Sequence, residues 1–323
     1  MKIGSLAFFQ NESSKEKIGE FEKAIVIGKG TFGTVFKAQT ADGKLYAIKK
    51  VLQDPHYKNR ELSILKEVNH PNCLKLIDYY VTTEGEPQQL YLHIITDCFP
   101  TDLSFYLRKE KGNISNDIIK IFSYQIFRAL SYLHKIGICH RDIKPSNILI
   151  NPENGKLGIC DFGSAKKIQS NEPSVSYIAT RNYRAPELLF DCRYYNYPVD
   201  IWAAGCIVAE FVNGGTPIFR GKSNDYMIRS MINIIGTPTE SDLNEYGNSK
   251  VCPNIKRERR PIQEALSSNA DPQLLDLLEH IFVYSPSKRI TAEQCLNHPF
   301  FDGIRKGNLK LPNNKIFVLE PET

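Results

Sequence analysis

The eight residues His140-Arg141-Asp142-Ile143-Lys144-Pro145-Ser146-Asn147 constrain this chain more than any other stretch. They crowd a carboxylate, two cations and an amide into one short loop, and a strand–turn–strand pattern follows at once. Its strands are Asn147 to Ile150 and Lys156 to Cys160, turning through Asn154-Gly155. The second strand leads into Asp161-Phe162-Gly163, so the hairpin carries Asp161 back toward Asn147, fourteen positions earlier. A side-chain amide oxygen and a carboxylate are thereby expected at one site. His140 is expected to be a packed core histidine rather than a base.

The patterning changes on either side of this unit. From Phe21 to Asp97, β-rich runs dominate, around Ile25 to Ile27, Thr34 to Ala38, Leu45 to Val51, Leu74 to Val81 and Leu90 to Thr96. Asp42-Gly43 is a turn, and one helix, about Tyr57 to Val68, interrupts the strands. After Asp97 the period becomes helical: Ser115 can cap a helix whose Ile119, Phe122, Ile126, Leu130 and Leu133 recur at three- and four-residue steps. Ile201 to Val212 reads as a buried core helix; about a dozen residues interrupted by Glu210 fall short of the roughly twenty that cross a bilayer. The expected fold is therefore α+β and bilobal. An N-terminal extension (1–20) precedes a small, mainly β lobe with one helix (21–97), a larger, mainly α lobe (98–301) and a tail (302–323). The Asn269 to Pro272 segment and the tail from Lys306 to Thr323 read as surface loops.

Gly28-Lys29-Gly30-Thr31-Phe32-Gly33 is a GxGxxG string, weak by itself because two nucleotide folds and ordinary turns all use it. The dinucleotide fold requires a helix next, whereas Thr34 to Lys37 reads as a strand. A glycine loop joining two strands lets backbone amides approach phosphate oxygens with no Cβ in the way. Gly221-Lys222-Ser223 ends like another phosphate loop, but Thr216 stands where that loop requires glycine. Lys49, in Tyr46-Ala47-Ile48-Lys49, lies on the third strand, and Glu61 follows on the helix twelve positions later. A lysine on a flexible stem needs a carboxylate to hold it toward phosphates, and Glu61 is the candidate clamp.

Ala185-Pro186-Glu187 closes the segment that Asp161 opens (161–187). Arg289 is the expected ion-pair partner of Glu187, and Asp200 the expected acceptor for backbone amides of the 140–147 loop. In this order, over about Phe21 to Phe301, the strings resemble a eukaryotic protein kinase. More narrowly, Tyr57-Lys58-Asn59-Arg60-Glu61-Leu62, Asp161-Phe162-Gly163-Ser164-Ala165-Lys166 and Glu172-Pro173-Ser174-Val175-Ser176-Tyr177 resemble the glycogen synthase kinase-3 family. Gly236-Thr237-Pro238-Thr239 agrees with the wider group that holds the cyclin-dependent and mitogen-activated kinases, although Val175 stands where the mitogen-activated subfamily needs Thr.

The resemblance implies the bilobal protein kinase fold and transfer of the γ-phosphoryl of Mg-ATP to Ser or Thr of protein substrates. Asp142 would accept the hydroxyl proton and Lys144 would neutralise charge on the phosphoryl, with Lys49 and Glu61 completing the catalytic set. Mg2+ would be held by Asn147 and Asp161. The nucleotide would meet Ile27, Gly28, Gly30, Gly33, Val35 and Ala47, together with Lys49 and Asp161. Its base would lie against Leu149 and the hinge residues Asp97 to Phe99.

Arg60, Arg141 and Lys166 occupy positions where the resemblance gathers three cations around one phosphate, supplied by a substrate already phosphorylated four residues C-terminal to the acceptor. That spacing spans roughly 13 Å of extended chain. Tyr177 matches the family's activation-segment phosphotyrosine, with Arg184 a natural partner for its phosphate. The sequence also departs from the family: Met1 to Lys23 contains no arginine, Thr96 stands at the gatekeeper position, Cys98 and Phe99 replace familiar hinge residues, and Asn244 to Arg260 differs from the scaffold-docking region. Two further readings are an unprimed proline-directed kinase of the cyclin-dependent or mitogen-activated type, and a pseudokinase scaffold. The presence of Lys49, Glu61, Asp142, Asn147 and Asp161 weighs against the scaffold.

Composition supports this class. With 323 residues, 41% hydrophobic and 24% charged, the chain has material for two cores. A net charge of +5 is too mild to indicate nucleic acid and suits a phosphate-bearing partner. Eight cysteines, none in a CxxC pair, suggest reduced thiols rather than zinc or a disulfide frame. The first twenty residues lack the features of a signal peptide. The expected partners are pre-phosphorylated protein substrates and scaffold proteins, with no nucleic acid and no membrane, for a chain acting as a monomer or weak dimer. The expected location is the cytoplasm, extended to the nucleus if Lys256 to Arg260 serves as an import patch.

Overall fold

The computed structural model describes residues 20–30, 33–54, 56–169, 172–247, 252–266 and 270–322. Nearly all of the expected N-terminal extension, the glycine-loop tip Thr31-Phe32, Asn269 and part of the 244–260 stretch lie outside them. The described residues fall into two compact units, one up to Pro100 and the other from Thr101 to Glu322.

The first unit is built on an antiparallel sheet of β1 (Phe21–Gly30), β2 (Gly33–Thr40), β3 (Leu45–Leu52), β4 (Leu76–Glu84) and β5 (Gln89–Asp97), in the order β1-β2-β3-β5-β4. Strand alternation sorts its residues. Phe36, Ala38, Ile48 and Ile95 point to one side and form a buried cluster with Phe21 and Tyr80. The cross-strand pairs Val35↔Lys49, Lys37↔Ala47 and Ala47↔Thr96 put Val35, Ala47, Lys49 and Thr96 on the opposite side. Helix α1 (Arg60–Leu65) is shorter than the expected Tyr57 to Val68. The Asn59 side chain accepts from Leu62 N at 2.9 Å and so begins the helix later, and the Glu67 amide turns to Ile64 O and tightens its end.

The second unit is mainly helical. Its long helix α2 (Asn116–Lys135) is capped by Ser115, and Phe122, Ile126, Leu130 and Leu133 on it are completely buried. Helix α3 (Pro198–Val212) is buried along its whole length after Pro198, with Trp202 stacked on Phe219 at 5.2 Å between ring centres. No helix among the described residues is long and apolar enough to cross a membrane. A three-stranded sheet, β6 (Thr101–Asp102), β7 (Ile148–Asn151) and β8 (Lys156–Ile159), contains the hairpin that was legible in the sequence.

The tail lies largely exposed on the surface, as expected, but it is anchored: Leu309, Leu311 and Phe317 are each only 7% exposed. Leu311 N donates to Lys315 O and Phe317 N to Leu309 O, closing a small hairpin against the β7–β8 turn. Gly155, at φ 74°, is the residue that admits it, because a Cβ there would lie 2.8 Å from both Leu311 Cδ2 and Phe317 Cδ2. Three apolar side chains spaced along a polar run are enough to seat this segment, since each loses water on docking.

Candidate active site

In the first unit, Lys49 Nζ lies 2.7 Å from Glu61 Oε2. Strand β3 presents the lysine and the first turn of α1 presents the glutamate, which is buried. A half-buried ammonium with a fixed carboxylate has one preferred position instead of many rotamers. Gly28 pairs with Val35 and Gly30 with Gly33 across the loop, and a Cβ on Gly33 would collide with the Lys50 carbonyl. Val35 and Ala47 are half-buried on the Lys49 side of the sheet, Ile27 is 51% exposed, and Thr96 is buried. Asp97, Cys98 and Phe99 are half-buried at the end of β5. Arg60, beside Glu61, is exposed.

In the second unit, the 140–147 loop is anchored from below. Asp200, 1% exposed, accepts from His140 N and Arg141 N, both at 2.8 Å, and lies 3.0 Å from His134 Nε2. Burial pushes its carboxyl up, but the bond to His134, the nearby histidines and the bond from the Arg141 amide outweigh that and hold it below the ordinary carboxylate value. These bonds also hold Arg141 at φ 68°, a left-handed conformation costly for a residue with a side chain. His140 is fully buried, with Nε2 3.0 Å from Cys160 O.

Above this anchor, Asp142 is gripped from both sides. Its Oδ1 accepts from Thr180 N (3.1 Å) and Thr180 Oγ1 (3.0 Å), and its Oδ2 from Lys144 Nζ (2.7 Å). Asn147 Nδ2 donates to Asp142 O at 2.9 Å, which turns the amide oxygen away from that bond. Cys160 N donates to Asn147 O at 2.9 Å, so the hairpin does bring Asp161 beside Asn147. Asp161 itself is left-handed, at φ 62°. A neutral amide oxygen and a carboxylate are the hard donors magnesium takes, so this donor set fits that ion. Leu149, half-buried, pairs with Asp102 and Gly158.

Arg141 and Lys166 lie in one cluster. The buried Arg141 guanidinium donates to Ser164 O at 2.7 Å and Tyr195 Oη at 3.2 Å, both neutral. Lys166 Nζ is 3.0 Å from Glu172 Oε1 and 3.2 Å from Ser174 Oγ. Tyr177 is 72% exposed, with the Arg184 guanidinium 4.7 Å from its ring centre. Farther along, Glu187 and Arg289 form a buried two-pronged ion pair at 2.8 and 3.0 Å. Thr180 and Tyr195 belong to no motif in the sequence, and Glu172 appears there only as part of the 172–177 string, with no role of its own; each acts through a contact that the fold creates.

Comparison with known proteins settles the family. A profile of the protein kinase domain matches residues 21–301. The chain is 40% identical over 301 residues to the protein kinase gsk3 of Schizosaccharomyces pombe, covering 90% of this chain and 76% of that protein. It is 38% identical over 314 residues to glycogen synthase kinase 3 of Trypanosoma brucei brucei, covering 94% and 89% respectively. This chain is a protein kinase of the glycogen synthase kinase 3 family. A second Schizosaccharomyces pombe kinase, gsk31, is 39% identical over 304 residues, covering 92% of this chain and 79% of that protein. The kinase is therefore a serine/threonine enzyme with the bilobal α+β fold, and membership in the family implies ATP as phosphoryl donor and proteins as substrates.

Proposed function

We propose that this kinase prefers substrates that already carry a phosphate four positions C-terminal to the acceptor Ser or Thr. The observation that carries the reading is Arg141: a residue only 6% exposed whose guanidinium, among the described residues, donates to a carbonyl and a phenol, in one cluster with Lys166. A buried cation with no carboxylate partner among the described residues favours an anion, and a phosphate near −2 offers oxygens for several charge-assisted bonds. The family resemblance adds Arg60 as the third cation.

In this reading Asp142 takes the proton from the acceptor hydroxyl, and its carboxylate needs no reorganisation because Thr180 and Lys144 already orient it. Lys144 supplies positive charge beside the base. Lys49, fixed by Glu61, engages the phosphates of the nucleotide, and the glycine loop offers backbone amides to them. Asn147 and Asp161 would hold Mg2+, which when bound offsets phosphate charge. Phosphorylated Tyr177 would find Arg184 adjacent.

The test compares one peptide with and without its downstream phosphate. A charge-assisted bond is worth roughly 1.5 to 3 kcal/mol, so Arg60→Ala should cost about ten- to a hundredfold in kcat/KM on the primed peptide and remove the preference for it. Equal losses on both peptides would count against a phosphate site at Arg60.

A further inference from the structure

Four consecutive residues of the activation segment lie against the Arg141–Lys166 cluster. Lys166 Nζ meets Glu172 Oε1 at 3.0 Å, donates to Ser174 Oγ at 3.2 Å and reaches Pro173 O at 3.4 Å. Val175 O accepts from Tyr195 Oη at 2.7 Å, and the same Oη accepts from Arg141. An ammonium has three protons, so the chain's own segment supplies an acceptor for each of them. The two cations therefore differ: among the described residues Arg141 has neutral acceptors only, whereas Lys166 already holds an anion.

The three acceptors on Lys166 differ as well. Ser174 is buried, and its amide is tied to Arg193 O at 2.7 Å, so it stays in place. Glu172 alone is charged, and its side chain is 47% exposed, free to leave toward solvent. An exposed ion pair is weak, and a dianionic phosphate outbids a single carboxylate for the same ammonium.

We propose that Glu172 is an internal competitor for the substrate's phosphate: it holds Lys166 when the site contains no phosphate and gives it up when one arrives. This rests on the primed-substrate reading above. The competitor sets a threshold. A substrate with a neutral residue at the downstream position cannot displace Glu172, and one with Asp or Glu there offers only the charge already present, so the site distinguishes phosphate from a carboxylate imitation of it.

The experiment measures kcat/KM of full-length wild type, Glu172→Gln and Glu172→Asp on a primed peptide and its unphosphorylated counterpart, with inorganic phosphate as inhibitor of the primed reaction. Glu172→Gln should raise the primed-to-unprimed ratio about three- to tenfold and lower the inhibition constant of phosphate by a similar factor. Glu172→Asp keeps the charge and should keep the ratio near that of wild type. If wild type discriminates and Glu172→Gln leaves the ratio unchanged or lower, the competitor is refuted while the phosphate site survives. If wild type does not discriminate, the primed-substrate reading itself falls, and the competitor with it.

Discussion

Replacing Asp200 with asparagine isolates what the anchor beneath the 140–147 loop does. The carboxylate serves two backbone amides, on His140 and Arg141, through separate oxygens. An asparagine side chain has one acceptor oxygen, and its amide group cannot accept, so one of those N–H groups is left buried and unpaired at about 1 to 3 kcal/mol. The bond to His134 Nε2 loses its carboxylate as well, for a total near 2 to 4 kcal/mol, and Arg141 is freer to leave its left-handed conformation. At about 2 to 4 °C per kcal/mol, Asp200→Asn should melt roughly 5 to 15 °C below wild type. The kinetic effect is separable. Asp142 follows Arg141 directly, and a shift of about 1 Å in a catalytic group can cost on the order of a hundredfold. Steady-state kinetics well below the variant's Tm should show kcat reduced about ten- to a hundredfold, with the primed-to-unprimed ratio lowered because Arg141 moves too. A Tm within about 1 °C of wild type together with kcat within about threefold would refute the anchoring argument.

Glu210 gives a pH dependence whose sign is fixed. Burial pushes its carboxyl from 4.5 up to about 7, against the opposing bond from Tyr183 Oη at 2.7 Å. Between those values the folded protein keeps a proton that the unfolded chain releases, so stability falls as pH rises through the window, by at most about 3 kcal/mol. Urea titrations at pH 5 and pH 8 should show that difference shrink in Glu210→Gln; identical pH dependence in both proteins would contradict it. Gly155→Ala should destabilise by about 2 to 4 kcal/mol, from left-handed strain plus the clash with Leu311 and Phe317. A loss below about 0.5 kcal/mol in the same assay would show that the tail does not seat there.

What could be read from the sequence follows from what local patterns encode. The β7–β8 hairpin was legible because its turn and alternation are local, and α2 because Ser115 and a sustained apolar period mark it. Helix α1 was overestimated because its cap, Asn59, lies inside the periodic stretch and overrides it. The anchoring of the tail could not be read because Leu311 and Phe317 pack against Gly155, a partner remote in the chain. The Lys49–Glu61 pair was legible because a strand lysine directed at phosphates needs a carboxylate to hold it, and the two lie 2.7 Å apart. The hold of Thr180 on Asp142 and of Glu172 on Lys166 could not be read, because nothing in residues 166–180 states which way that segment folds back.

The seating of the tail bears on how the enzyme is made. Asn313 donates to Glu153 O across 160 positions of chain, and the β7–β8 turn that bears Glu153 belongs to the hairpin leading to Asp161. At about 5 to 20 residues per second of synthesis, that turn waits on the order of 8 to 30 seconds for its covering segment to emerge. A nascent chain that has translated every catalytic residue still lacks the piece that shields the far end of its catalytic hairpin. Until then the hairpin is open to chaperones and proteases.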